Sequence, residues 1–139
     1  MVLRFVAAPV FAATPATAKP VQMTVVATAY SPRVEETDST PFITAAGTRV
    51  RDGIIAANFL PFGTLIKLPE LFGDTIFTVE DRMNRRYTRA YPHRIDVFFH
   101  ETKKAIRFGK QYLTLEVVAM GPTTDTAKQE IKSTALKEN

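Results

Sequence analysis

The chain of 139 residues contains no cysteine and no tryptophan, and only two histidines, His93 and His100. Without cysteine there is no disulfide framework, no thiolate zinc site, no cysteine nucleophile and no lipid attachment through an N-terminal cysteine. Two histidines exclude a three-histidine metal centre, and a histidine-based triad has only these two to draw on. Without tryptophan, stacking on a sugar or a base falls to four tyrosines and ten phenylalanines. No glycine-rich strand-to-helix turn appears, which argues against a doubly wound nucleotide-binding sheet. No motif asks for a metal or a cofactor.

What is present is enough for one core: 45% of residues are hydrophobic and 23% charged, at a length that favours one domain. Lysine and arginine number 18 against 14 acids, a formal charge of +4. That balance suits an anionic partner such as nucleic acid, acidic lipid or an acidic cell-wall polymer, and equally suits plain solubility. The first residues, MVLRFVAAPVFAATPATAKP, place Arg4 before an apolar stretch from Phe5 to Ala13 and end on Ala16-Thr17-Ala18. This is the layout of an export signal with an A-x-A cleavage site, expected over 1–18, with the mature chain working outside the cytoplasm. The apolar stretch falls short of the ~20 residues that a membrane span requires.

Beyond Pro20 the patterning is that of strands. VQMTVVATAY (21–30) is rich in valine and threonine; SPRVEETDSTPF (31–42) is loop; glycines 47 and 53 precede β-prone runs and suggest hairpin turns. IIAANF (54–59) is a short buried strand, LPFGT (60–64) a turn, and LIKLPELFGD a second strand running into Gly73-Asp74. In TIFTVED (75–81) alternation puts Phe77, Val79 and Asp81 on one side and Ile76, Thr78 and Glu80 on the other. A polar loop extends to Pro92. In HRIDVFF (93–99), Ile95, Val97 and Phe99 share one face and Arg94, Asp96 and Phe98 the opposite one. ETKKAIRFG (101–109) is the one convincing helix, with Ala105, Ile106 and Phe108 as its apolar side and Gly109 as its stop. QYLTLEVVAM (111–120) is the last strand, and 121–139 is a polar tail. These patterns predict an all-β domain over 19–120, a closed or half-closed barrel with one short helix.

Two acids stand out. Asp96 lies in the middle of a Val/Ile/Phe strand and Asp81 follows directly on another, with five arginines and no acid between them. Burial raises a carboxyl pKa and a neighbouring arginine lowers it, and opposed effects of this kind tune a group for proton transfer near neutral pH. The plainer reading makes Asp96 an ion-pair partner of Arg94 or Arg82, and gives Asp81 a turn or capping role.

ATAY (27–30), TAAGT (44–48), LPFGT (60–64), ED (80–81), RID (94–96) and FG (108–109) occur in that order. The ordered set, spanning about 24–118, resembles the 3D domain, a family named for three aspartates and found also at the C-terminus of membrane-bound lytic transglycosylase A. A more distant likeness, to rare-lipoprotein-A and expansin-type barrels, rests on LPFGT and RID. The resemblance implies a six-stranded double-psi β-barrel acting on peptidoglycan in the cell envelope. It implies that Asp96 is the catalytic acid and that Asp81 lines the same groove. The chain departs from the family twice. The first aspartate is replaced near Asn58, and the interval from Asp81 to Asp96 is lengthened by the basic RRYTRAYPH.

The chemistry stands without the family. Breaking a β-1,4 glycosidic bond needs a proton for the leaving oxygen, which a protonated carboxyl supplies. A lytic transglycosylase uses one such group: as carboxylate it then takes the proton of the sugar's C6 hydroxyl, which closes an internal 1,6-anhydro ring. Well-oriented internal attack has effective molarities of about 10⁵ M or more. On this reading Asp96 is the acid/base and Asp81 its partner. Thr28, Tyr30 and Thr44 are placed to hydrogen-bond sugar hydroxyls or N-acetyl groups, or serve only as strand residues. Asn58 binds substrate in place of the missing acid, or makes a turn. Arg82 and Arg94 are the rim cations expected to meet an anionic polymer; His93 and His100 are loop and structural residues. The competing class is a non-catalytic polysaccharide-binding or wall-loosening module. A nucleic-acid binder is disfavoured, since no recognition helix or aromatic RNA-binding strand accompanies the arginines.

Overall fold

Strand β1, Val21–Tyr30, supplies two edges at once: its first part pairs antiparallel with β6, Gln111–Ala119, and its last part runs parallel to β5, Arg94–Phe98. The computed structural model describes residues 19–33 and 42–123, so the export signal expected over 1–18 and the tail beyond 123 lie outside the described residues. Between β1 and β6 the chain adds β2 (Ile54–Ala57), β3 (Leu65–Lys67) and β4 (Phe77–Asp81). The six strands close into a barrel in the order β1-β5-β2-β4-β3-β6, with β1–β5 and β2–β4 parallel and the other four pairs antiparallel. Closure leaves no unpaired sheet edge.

Alternation fills the interior. Val25 and Ala27, Ile55 and Ala57, Ile66, Val79, Ile95 and Val97, and Leu113 and Leu115 form one buried cluster, contributed by all six strands. Their period-two neighbours face outward, and part of that outer surface is itself buried. Tyr30, Val50, Ile54, Ala56, Met83 and Phe98 form a second cluster outside the barrel wall. The segment carrying Val50 is folded over it by a turn at Gly47 (φ 80°), closed by an Ile43–Arg49 bridge. Barrel and outer cluster together define where a site can lie.

Among the described residues three short helices connect the strands, where one was expected. The expected helix is α3, Thr102–Phe108, but Ile106 points outward and is two-thirds exposed; Ala105 is the residue it buries. The two additional helices are α1, Pro69–Phe72, and α2, Arg86–Ala90. Proline at the first helical turn and Gly73 after the last explain α1. In α2 the Asn84 side chain accepts a hydrogen bond from the Arg86 backbone N–H at 3.0 Å. Elements of four and five residues are too short to show a helical period, so the polar, arginine-rich composition dominates the sequence pattern there.

Gly121, at the expected start of the tail, is packed into the barrel instead. Its N–H donates to Thr64 Oγ1 at 3.0 Å, and a Cβ there would collide with the Phe62 carbonyl oxygen and lie 2.7 Å from the Thr64 nitrogen. Both obstacles are backbone, which cannot step aside as a side chain can. Gly121→Ala is therefore expected to lower stability by about 2–3 kcal/mol, measurable as a fall in the denaturant midpoint.

Candidate functional site

The register across four adjacent strands assembles the candidate residues. Thr28 and Tyr30 on β1 stand opposite Asp96 and Phe98 on β5, and Asp96 in turn stands opposite Ala56 on β2. Regular alternation on β4 would send Asp81 inward with Phe77 and Val79, as the sequence pattern predicts. A bulge prevents this: Ile55 pairs with Val79, whereas the next residue, Ala56, pairs with Asp81. One extra residue on β4, Glu80, resets the alternation and turns Asp81 to the outer face beside Tyr30. Both aspartates thus lie on one side of the wall.

Asp96 is half-buried, its side chain 21% exposed. Thr28 Oγ1 donates its proton to Asp96 Oδ1, and the same hydroxyl accepts hydrogen bonds from Arg94 Nη2 at 3.0 Å and Nε at 3.3 Å. Arginine only donates, so the direction of the Thr28 hydroxyl is fixed toward the carboxylate. Arg94 Nε also approaches Oδ1 at 3.9 Å. The other oxygen, Oδ2, receives no hydrogen bond from any described residue. Burial raises the Asp96 pKa from 3.8 to about 6, Arg94 pulls it down, and the Asp81 charge pushes it up. Oδ1 is therefore committed as an acceptor.

Asp81 is more fully engaged. Its Oδ2 accepts from Tyr30 OH at 2.8 Å, and its Oδ1 accepts from the backbone N–H groups of Ala45 and Arg82, each at 2.9 Å. Burial first, then the charge of Asp81, raises the Tyr30 pKa far above that of free tyrosine, so the phenol stays protonated. Tyr30 stacks edge-on against Phe98, with ring centroids 5.3 Å apart. Its hydroxyl fixes the position of the Asp81 carboxylate on the face that also carries Asp96.

Thr44, Asn58 and Arg82 make internal contacts. Thr44 is buried and its hydroxyl bonds Thr48 within the Gly47 turn. Asn58 uses both ends of its amide internally: Oδ1 accepts from the Met83 N–H at 2.9 Å and Nδ2 donates to Thr88 Oγ1 at 3.0 Å. It tethers the start of α2 to β2. Arg82 donates to the Ala57 carbonyl at 2.6 Å and lies 3.6 Å over the Phe62 ring, so its guanidinium caps the barrel and pairs with neither acid's carboxylate. His93 is exposed with its ring near Phe59, and His100 packs edge-on against Phe98.

Two residues at the site were not singled out from sequence. Tyr87 packs against the outer cluster, with the Arg94 guanidinium 4.3 Å from its ring centre. Glu80, the bulge residue, is buried and bonded to Arg51 and Thr48, and Arg51 holds its carboxyl below the usual range. That ion pair fastens the 44–51 segment over the outer cluster. A bulge that inverts the alternation of TVED leaves no trace in the residue types themselves.

A cavity of about 240 Å³ lies elsewhere, between Phe72, Phe77, Phe98, Phe99, His100 and Lys104; Asp96 is not among its walls. No group of three potential metal ligands occurs among the described residues, and no helix there is long and apolar enough to cross a membrane. No family model and no curated protein sequence matches the chain.

Proposed function

We propose that the protein cuts the β-1,4 glycosidic bond of peptidoglycan in the manner of a lytic transglycosylase, with Asp96 as its acid/base, in the cell envelope of the organism that exports it. The observation that carries this reading is the placement of two carboxyls in unlike settings on one outer face: Asp96, half-buried and titrating near pH 6, and Asp81, which accepts three hydrogen bonds. A carboxyl whose proton affinity is raised by burial is suited to give up a proton near neutral pH. Oδ2–H gives its proton to the bridging oxygen as the bond to the sugar's C1 breaks. The N-acetyl carbonyl of that sugar steadies the positive carbon. Asp96, now a carboxylate, takes the proton of the C6 hydroxyl as its oxygen bonds C1. The acid is regenerated and no water is consumed.

The likeness to the 3D domain supports the same reading. So do the two parallel pairs, β1 with β5 and β2 with β4, which fit a double-psi arrangement of the six strands. No step asks for a metal or cofactor. A second reading, a module that binds wall polysaccharide without cutting it, is favoured by Asn58. At the position of a third acid it is consumed in tethering α2. Release of soluble fragments from dye-labelled sacculi separates the two. The native chain should release them, and Asp96→Asn should be slower by about 10²–10⁴, the usual share of general acid catalysis. Binding with no release by the native chain sinks the enzyme reading.

A further inference from the structure

From Arg82 to Ile95 the chain has no acid, and α2 with its flanks carries most of the cations of that interval. Arg85, Arg86 and Arg89 are exposed, and among the described residues none of the three pairs with a carboxylate. Two of them, Arg85 and Arg86, are poorly placed for the helix itself. Arg85 is the N-cap and Arg86 the first helical residue, where the helix dipole disfavours a cation. Arg85 and Arg89 stand four residues apart, so like charges share one face. The helix gains nothing from Arg85 and Arg86 that glutamate at the same positions would not improve.

The segment is nevertheless fixed beside the candidate acid. Asn58 ties Met83 and Thr88 to β2, and Met83 is buried in the outer cluster against which Tyr87 packs. The Tyr87 ring lies close to two guanidinium groups, that of Arg86 at 4.8 Å and that of Arg94 at 4.3 Å from its centre. Arg94 is the residue that orients Thr28 toward Asp96. A firm, aromatic-buttressed arm thus begins one side chain away from the acid.

We propose that this arm, through Arg85, Arg86 and Arg89, is a docking surface for the free carboxylates of peptide stems borne by the glycan strand. The inference rests on the peptidoglycan reading for the identity of the polymer, but not on the cutting chemistry. Guanidinium matches carboxylate two hydrogen bonds to two. Arg85 and Arg89, about one helical turn apart on one face with Arg86 to the side, suit separate carboxylates strung along a polymer better than one phosphate gathered at a single point. Arg82, committed to the Ala57 carbonyl and Phe62, is not part of the arm.

The test is co-sedimentation of the full chain with insoluble sacculi, native or with stem carboxylates amidated by carbodiimide and ammonia. The variants are Arg85→Gln/Arg86→Gln/Arg89→Gln, its lysine counterpart, and a control of equal charge loss on α3 and its flank, Lys103→Gln/Arg107→Gln/Lys110→Gln. The arm variant should bind native sacculi about tenfold or more weaker, and amidated sacculi no differently from the unaltered chain. The lysine variant should recover part of the loss, and the control should change by less than about twofold. Equal losses in arm and control variants overturn the inference, as does indifference of the native chain to amidation. A loss that appears on vesicles of anionic phospholipid or on duplex DNA, but not on sacculi, also overturns it. Repeating the series in Asp96→Asn, where no cutting is expected, keeps failure of the arm distinct from failure of the acid.

Discussion

At pH 8 the Asp96→Asn protein is expected to melt at a higher temperature than the native chain while releasing no glycan fragments. The reason is linkage. The folded-state pKa of Asp96 lies near 6, above the 3.8 of a free aspartate. The folded chain therefore binds this proton more tightly than the unfolded chain does. Stability is greatest below the unfolded value and is lost as pH rises from about 4 through about 6. Above that window the ionised group costs the fold about 1–3 kcal/mol, since a tenfold difference in proton affinity is worth about 1.4 kcal/mol. The amide removes the charge and that cost, so native and variant should converge below pH 4 and separate above 6. A structural ion pair with Arg94 behaves oppositely: removing one partner of a half-buried pair destabilises at neutral pH. Melting curves at pH 4 and pH 8 decide between them, and a variant less stable at pH 8 refutes the tuned-acid account.

The second large effect is a pair of opposed changes in the same midpoint. Burial holds the Asp96 pKa high; beyond that, the Arg94 cation lowers it and the Asp81 charge raises it. Arg94→Gln should move the Asp96 midpoint up by roughly one pH unit, and Asp81→Asn should move it down by a similar or smaller amount. In an activity profile the acid form is needed, so the limb that falls with rising pH moves to higher pH in the first variant and to lower pH in the second. Carboxyl ¹³C resonances of labelled aspartate read the same midpoints without turnover. Midpoints that move together, or not at all, contradict the proposed electrostatics. Asp81→Asn should also loosen the 44–51 segment, because Ala45 N–H loses a charged acceptor. Its effect on rate must therefore be read together with its midpoint.

The strands were legible because their periodicity is a physical requirement of a closed wall. In β5 the alternation of Ile95 and Val97 with Asp96 and Phe98 foretold which side each would take. In β4 the same rule failed at one residue, since a bulge is specified by the pairing of two distant strands and not by local composition. Asp96 announced itself as a charge inside an apolar strand. Tyr30 and Thr28 gained meaning only from the parallel register with β5, which sets 68 residues of separation aside in the case of Thr28. Arg82 misled because proximity in sequence to Asp81 says nothing of where a long side chain folds back. Asn58 proved to be a tether, its amide spent on α2, a helix too short to be seen in advance.

Incubation of the native chain with sacculi in ¹⁸O-enriched water, followed by mass spectrometry of the released ends, tests the assignment of Asp96 most directly. The expected products end in anhydro sugars, lighter by one water than hydrolysed ends and free of ¹⁸O, and they vanish in Asp96→Asn. Reducing ends carrying ¹⁸O, or the same anhydro products from the Asn variant, would contradict it.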